Sequence, residues 1–105
     1  MKSTDGLDIP MDRIEEFCRK WNVRELSLFG SILRDDYRPD SDVDMLFDFE
    51  PHARRTLLDL VAMREELCDL LGRPVDLISR KGVERSGNTA RRDAILSSAR
   101  VLYAA

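Results

Sequence analysis

Three short runs rich in apolar residues, at 24–29, 42–49 and 74–78, stand between stretches whose apolar residues recur at helical spacing, and this alternation confines the chain to an α/β architecture. Arg24 to Phe29 alternates polar with apolar residues up to Gly30, which predicts a strand with Leu26 and Leu28 on one face. Asp42 to Phe49 predicts a second strand, stopped by Glu50 and Pro51, and Pro74 to Ile78 a third. A helix opens at Ile9, Pro10 and Met11, carries Ile14, Phe17, Cys18 and Trp21 on its apolar stripe, and ends at Asn22. Residues 31–37 predict a short helix and 38–41 a turn. A long helix is expected over 54–71, its stripe interrupted only by Arg64, with Gly72 as C-cap. Asn88 caps a last helix running through Ile95, Ala99 and Leu102. The expected fold is a small mixed β-sheet backed by helices (α/β, or α+β), with the three strands carrying a site on one face.

At 105 residues the chain makes one domain, 1–105, with its core over about 10–103. No apolar run approaches the ~20 residues that span a bilayer, and residues 1–6 lack the apolar stretch of a signal peptide. A cytoplasmic location without membrane contact is the expectation. Cys18 and Cys68 lie in helical patterns without ligand spacing and read as buried free thiols. Net charge is −3, but residues 1–78 hold 11 Lys/Arg against 18 Asp/Glu and residues 79–105 hold 6 against 2. The basic segment (Arg80, Lys81, Arg85, Arg91, Arg92, Arg100) has two readings, a surface for an acidic partner or nucleotide phosphates, or a solvated helix face.

Three features converge on a site for metal and triphosphate. Gly30-Ser31 sits between a strand and a short helix, where a glycine lets a phosphate approach the backbone and the serine adds a hydroxyl. Asp42 and Asp44 are two apart at the start of a strand, so their carboxylates project from one face. Like charges held together call for a cation, and hard ions such as Mg²⁺ take oxygen ligands of this kind. Taken alone, the pair also reads as a polar strand edge that discourages aggregation. Asp76 lies in the apolar run Val75 to Ile78, where a bare carboxylate needs compensation. If the third strand neighbours the second, Asp76 completes a triad that can hold two Mg²⁺ ions for in-line phosphoryl chemistry.

Competing motifs fail. Asp40 to Asp44 opens like a calcium loop, but Met45 replaces its glycine and Pro51 its bidentate glutamate. His52 is the sole histidine, too little for a zinc site or a Ser-His-Asp arrangement, and reads as an exposed loop residue. Trp21, Phe17 and Leu26 read as core.

Gly30-Ser31 followed after ten residues by Asp42-Val43-Asp44 resembles the signature of the DNA polymerase β-like nucleotidyltransferase superfamily, within the stretch GSILRDDYRPDSDVDMLFDF. Arg34, Pro39 to Ser41 and the later Asp76 look like the bacterial minimal nucleotidyltransferases. The resemblance implies the polymerase β-like fold. It further implies that Gly30, Ser31, Arg34 and Ser41 contact the nucleotide, that Asp42 and Asp44 hold both metals, and that Asp76 is a third ligand helping to activate the acceptor hydroxyl. Arg34 has a second reading as a surface partner of Asp35 or Asp36. By the same resemblance, ATP and two Mg²⁺ ions are required, and the partner is a HEPN-domain ribonuclease toxin that this antitoxin silences by attaching AMP to a tyrosine. A hetero-oligomer with that toxin is expected, and direct nucleic-acid binding is not. Two rivals stand beside this reading: a non-catalytic module that blocks its toxin sterically, and transfer to a small molecule such as an aminoglycoside.

Overall fold

A computed structural model describes residues 9–30 and 42–105. Its elements run α1 (Met11–Trp21), β1 (Val23–Phe29), β2 (Val43–Phe49), α2 (Leu57–Leu71), β3 (Val75–Ser79), α3 (Arg80–Glu84), α4 (Thr89–Ser98) and β4 (Arg100–Ala104). The expected short helix at 31–37, with Ser31, Arg34 and Ser41, lies outside the described residues.

The strands form one mixed sheet in the order β3-β2-β1-β4. β1 is antiparallel to both β2 and β4, whereas β3 runs parallel to β2. That parallel pair needs a crossover, and α2 supplies it. Alternation along each strand divides the buried side chains between two faces. On one face Val23, Leu26, Leu28, Val43, Met45, Phe47 and Val75 pack with Ile14, Phe17 and Cys18 of α1 and Met63 and Leu67 of α2. On the other, Phe29 and Leu46 meet Val83 of α3 and Ile95 of α4. The second cluster is small, and it borders the end of the sheet where Gly30 and Asp44 meet.

Local chemistry sets the boundaries. Pro10 accepts the first helical bond of α1, from the Ile14 amide at 3.0 Å, and Asn22 ends the helix at φ 59°. The long helix begins later than expected, at Leu57 instead of Arg54, because Thr56 and Asp59 form a reciprocal capping box. Gly72 closes it, as expected, at φ 66°. Arg64, the break in its apolar stripe, donates to the Val75 carbonyl at 3.0 Å and ties α2 to β3.

The chain's last part corrects the sequence expectation. The helix capped by Asn88 stops at Ser98, and residues 100–104 form a fourth strand on the open edge of β1. Ile95, Ala99 and Leu102 happen to fall at helical intervals, but backbone bonds to a distant strand outweigh that local period. The short α3, capped by the Ser79 hydroxyl, is a further element that the sequence expectation lacked.

Candidate active site

The site assembles where β1 ends and β2 and β3 begin. Antiparallel register places Asp44 opposite Phe29, the residue before Gly30, and parallel register places Asp76 beside Asp44. Asp44 and Asp76 therefore share the sheet face that carries Leu46 and Ile78, opposite the larger core. Asp42, two residues before Asp44 in extended chain, lies just outside β2. The start of β2 is fastened by the Val43 amide, which donates to the Pro74 carbonyl at 2.9 Å. Asp42 and Asp76 are exposed and Asp44 is half-buried.

Gly30 turns at φ +80°, a conformation that only glycine adopts without strain. A Cβ here would strike the Asp44 carboxylate oxygen and come within 3.2 Å of its Cγ. The turn and the carboxylate are thus packed directly against each other. A cleft of about 340 Å³ opens at this point, walled by Phe29, Gly30, Asp44, Arg91, Ile95 and Ser98. Its lining thus includes the acidic Asp44 from β2 and the basic Arg91 from α4.

Oxygen ligands from adjacent strands, with open space before them, are the donor set that suits a hard cation such as Mg²⁺. Among the described residues, no three Asp, Glu, His or Cys side chains already converge closely enough to hold a metal. The register brings two of the three predicted carboxylates together and leaves Asp42 at the strand entrance.

Elsewhere on this face, buried Asp48 pairs with Arg24, whose side chain reaches over from the bulge at the start of β1. That hydrogen bond and charge raise the Arg24 pKa further. Arg80 joins Glu25 at 3.2 Å and Glu84 at 3.1 Å, anchoring α3 on β1. The sequence placed Arg91 in a basic segment with two readings, a surface for an acidic partner or nucleotide phosphates and a solvated helix face. Its place in the cleft lining was not visible because the docking of α4 on the sheet, which no local pattern encodes, decides which of its residues line the cleft.

The fold is that of the nucleotidyl-transfer class of domain. The chain belongs to the nucleotidyltransferase domain family, whose pattern matches residues 11–102. It is 39% identical over 70 residues to the protein adenylyltransferase MntA of Thermococcus cleftensis, covering 67% of this chain and 69% of that protein. Alignments with the curated archaeal relatives span between 62% and 69% of those proteins' own lengths. A solved structure described as a minimal nucleotidyltransferase superposes with a TM-score of 0.66 at 32% identity, covering 86% of each chain. The same fold occurs in an MNT antitoxin complexed with a tri-AMPylated HEPN toxin of Shewanella oneidensis, with a TM-score of 0.59 at 18% identity, covering 90% of this chain and 70% of that one. Among the described residues no helix is long and apolar enough to cross a membrane.

Proposed function

We propose that this chain is a protein adenylyltransferase acting as an antitoxin, which transfers AMP from ATP to a tyrosine hydroxyl of a HEPN-type ribonuclease. The observation that carries the reading is the in-register pair Asp44 and Asp76, with Gly30 packed against Asp44 at the mouth of an open cleft. The likeness to the Thermococcus adenylyltransferase supports protein as the acceptor class. The fold shared with an antitoxin bound to its AMP-bearing HEPN toxin supports the partner.

In this reading Asp42, Asp44 and Asp76 hold Mg²⁺, and Ser31, Arg34 and Ser41 join Gly30 around the triphosphate. When bound, the two ions supply charge neutralisation on the phosphates and acidify the acceptor hydroxyl. Asp76, on the outer strand, takes the acceptor's proton as its oxygen bonds to the α-phosphorus. Breaking the α–β phosphoanhydride bond releases pyrophosphate. Gly30 keeps the backbone close enough to donate to the phosphates, and Asp44 fixes the geometry between the turn and the acceptor.

The test is incubation with ATP labelled at the α-phosphate, Mg²⁺ and a HEPN-type ribonuclease. Label is expected on the ribonuclease and is expected to vanish with Asp44→Asn. Silencing of the ribonuclease that survives Asp44→Asn, with no label transferred, establishes the steric rival instead.

A further inference from the structure

A second cleft, of about 190 Å³, lies between α3 and α4 and is walled by Ile78, Ser79, Ser86, Arg91, Arg92 and Ile95. Arg91 and Ile95 line the first cleft as well, so the two spaces adjoin. Among the described residues no carboxylate lines the second one. Its polar side chains are donors. The Ser79 hydroxyl oxygen already accepts from the Gly82 amide at 3.3 Å, and that of Ser86 from the Asn88 amide at 3.2 Å, which leaves each O–H proton to give away. Among the described residues the Arg91 guanidinium makes no hydrogen bond or ion pair, its backbone amide alone being engaged with Asn88. Arg92 commits only Nε, 3.4 Å from the Asp93 carboxylate, and keeps its two terminal nitrogens.

Two guanidinium groups and two hydroxyl donors without an opposing acid make a receptor for an oxyanion, carboxylate or phosphate. A volume of 190 Å³ is below the roughly 300 Å³ at which pockets begin to enclose drug-sized ligands, so one acidic side chain enters and a nucleotide does not. Position says whose side chain it is. Ile78 lies two residues beyond Asp76 on the same face of β3, about 7 Å along the strand, whereas Gly30 lies across β2 at the end of β1. The second cleft therefore begins within a side chain's reach of the acceptor-side carboxylate and lies away from the triphosphate turn. A protein that brings its tyrosine hydroxyl to Asp76 carries the neighbouring residues of its own surface over this cleft. The charge of the segment agrees, since residues 79–105 hold 6 Lys/Arg against 2 Asp/Glu whereas residues 1–78 are acidic.

We infer that the cleft between α3 and α4 is a specificity pocket for an acidic side chain of the protein acceptor, a glutamate or aspartate beside the tyrosine that receives AMP. This rests on the adenylyltransferase reading above and names what the acceptor carries besides its hydroxyl. Arg92 lines the second cleft and not the first, so it reads the acid without touching the reacting atoms, while Arg91 stands where the two clefts meet. An acceptor with an amide in place of the acid forfeits a charge-assisted pair and leaves a guanidinium facing a neutral group, which is how a site of this kind discriminates. Arg92 is thus a specificity residue.

The probes are three tyrosine peptides that differ only in their flanking residues, which are glutamate, glutamine or lysine, each titrated calorimetrically onto the full chain. The glutamate peptide is expected to bind about tenfold more tightly than the glutamine peptide, the scale of one charge-assisted hydrogen bond. That preference is expected to vanish in Arg92→Gln, to return in part in Arg92→Lys, and to turn toward the lysine peptide in Arg92→Glu. A merely structural role for Arg92 produces no such reversal. Equal affinity of the wild type for the glutamate and glutamine peptides, or an unchanged preference in a folded Arg92→Gln, overturns the pocket. Inorganic phosphate binding more tightly than the glutamate peptide makes a free anion the occupant and overturns it as well. Peptide binding is read without any transfer, whereas absence of AMP transfer to the ribonuclease overturns the adenylyltransferase reading, so the two failures are read apart.

Discussion

Gly30 is the residue at which backbone and chemistry are least separable. Its φ of +80° and its contact with Asp44 mean that Gly30→Ala introduces both strain and a collision with a carboxylate. We expect a destabilisation of about 1–3 kcal/mol, together with a loss of Mg²⁺-dependent ATP affinity larger than the change in stability explains. Thermal unfolding and nucleotide titration of the same sample check this, and wild-type affinity in the variant removes Gly30 from the site. Cys18 shows a different constraint: burial first, then the negative charge of Glu15, pushes its thiol from 9.0 up to about 12. Unfolded chains lose this proton near 9.0 while the folded chain keeps it. The contribution to stability is therefore whole below that pH and falls away as pH rises toward about 12. Denaturant unfolding at neutral pH and at about pH 10 is expected to give a smaller loss for Cys18→Ala than for wild type, since the variant lacks this titration. Equal losses in the two proteins contradict it. Both cysteines are free, Cys18 buried and Cys68 half-buried, close to what their helical settings indicated.

Elements were legible where a cap or a strong period marked them. Asn22, Gly72 and Asn88 each stand at the boundary where local chemistry places them, because a left-handed or side-chain-capped terminus is a property of a few neighbouring residues. The start of α2 was misplaced by three residues, since the apolar stripe gives no signal of the Thr56–Asp59 box that begins the helix. That box makes a prediction at this scale: Thr56→Ala is expected to cost about 1 kcal/mol and lower the melting temperature by roughly 4–8 °C. Scanning calorimetry measures it, and an unchanged melting point assigns the start of α2 to packing instead. The outer face of the same turn leaves Leu57 and Leu58 exposed at 77% and 81%, so the cap and not burial of these leucines holds it.

Taken whole, the molecule is a sheet whose central strands are fixed by neighbours on both sides, and β4 is what makes β1 central. Leu102 and Tyr103 of β4 pack against the main core beside Leu26 and Leu28. Deleting residues 100–105 is expected to cost more than about 2 kcal/mol and to expose a new apolar edge that self-associates. Chemical denaturation and light scattering test this, and a monomeric truncated chain of unchanged stability refutes it. Sequence alone determined the α/β class, the main helices, three strands and the identity of the acidic residues, because side-chain period and capping are short-range properties. Tertiary structure decided the fourth strand and the strand order, both of which depend on backbone bonds between residues far apart in the chain. It also decided that Asp76 lies beside Asp44 and that Arg91 and Asp44 line one cleft. Such neighbours are created by sheet register and helix docking, and no local pattern of residues encodes either.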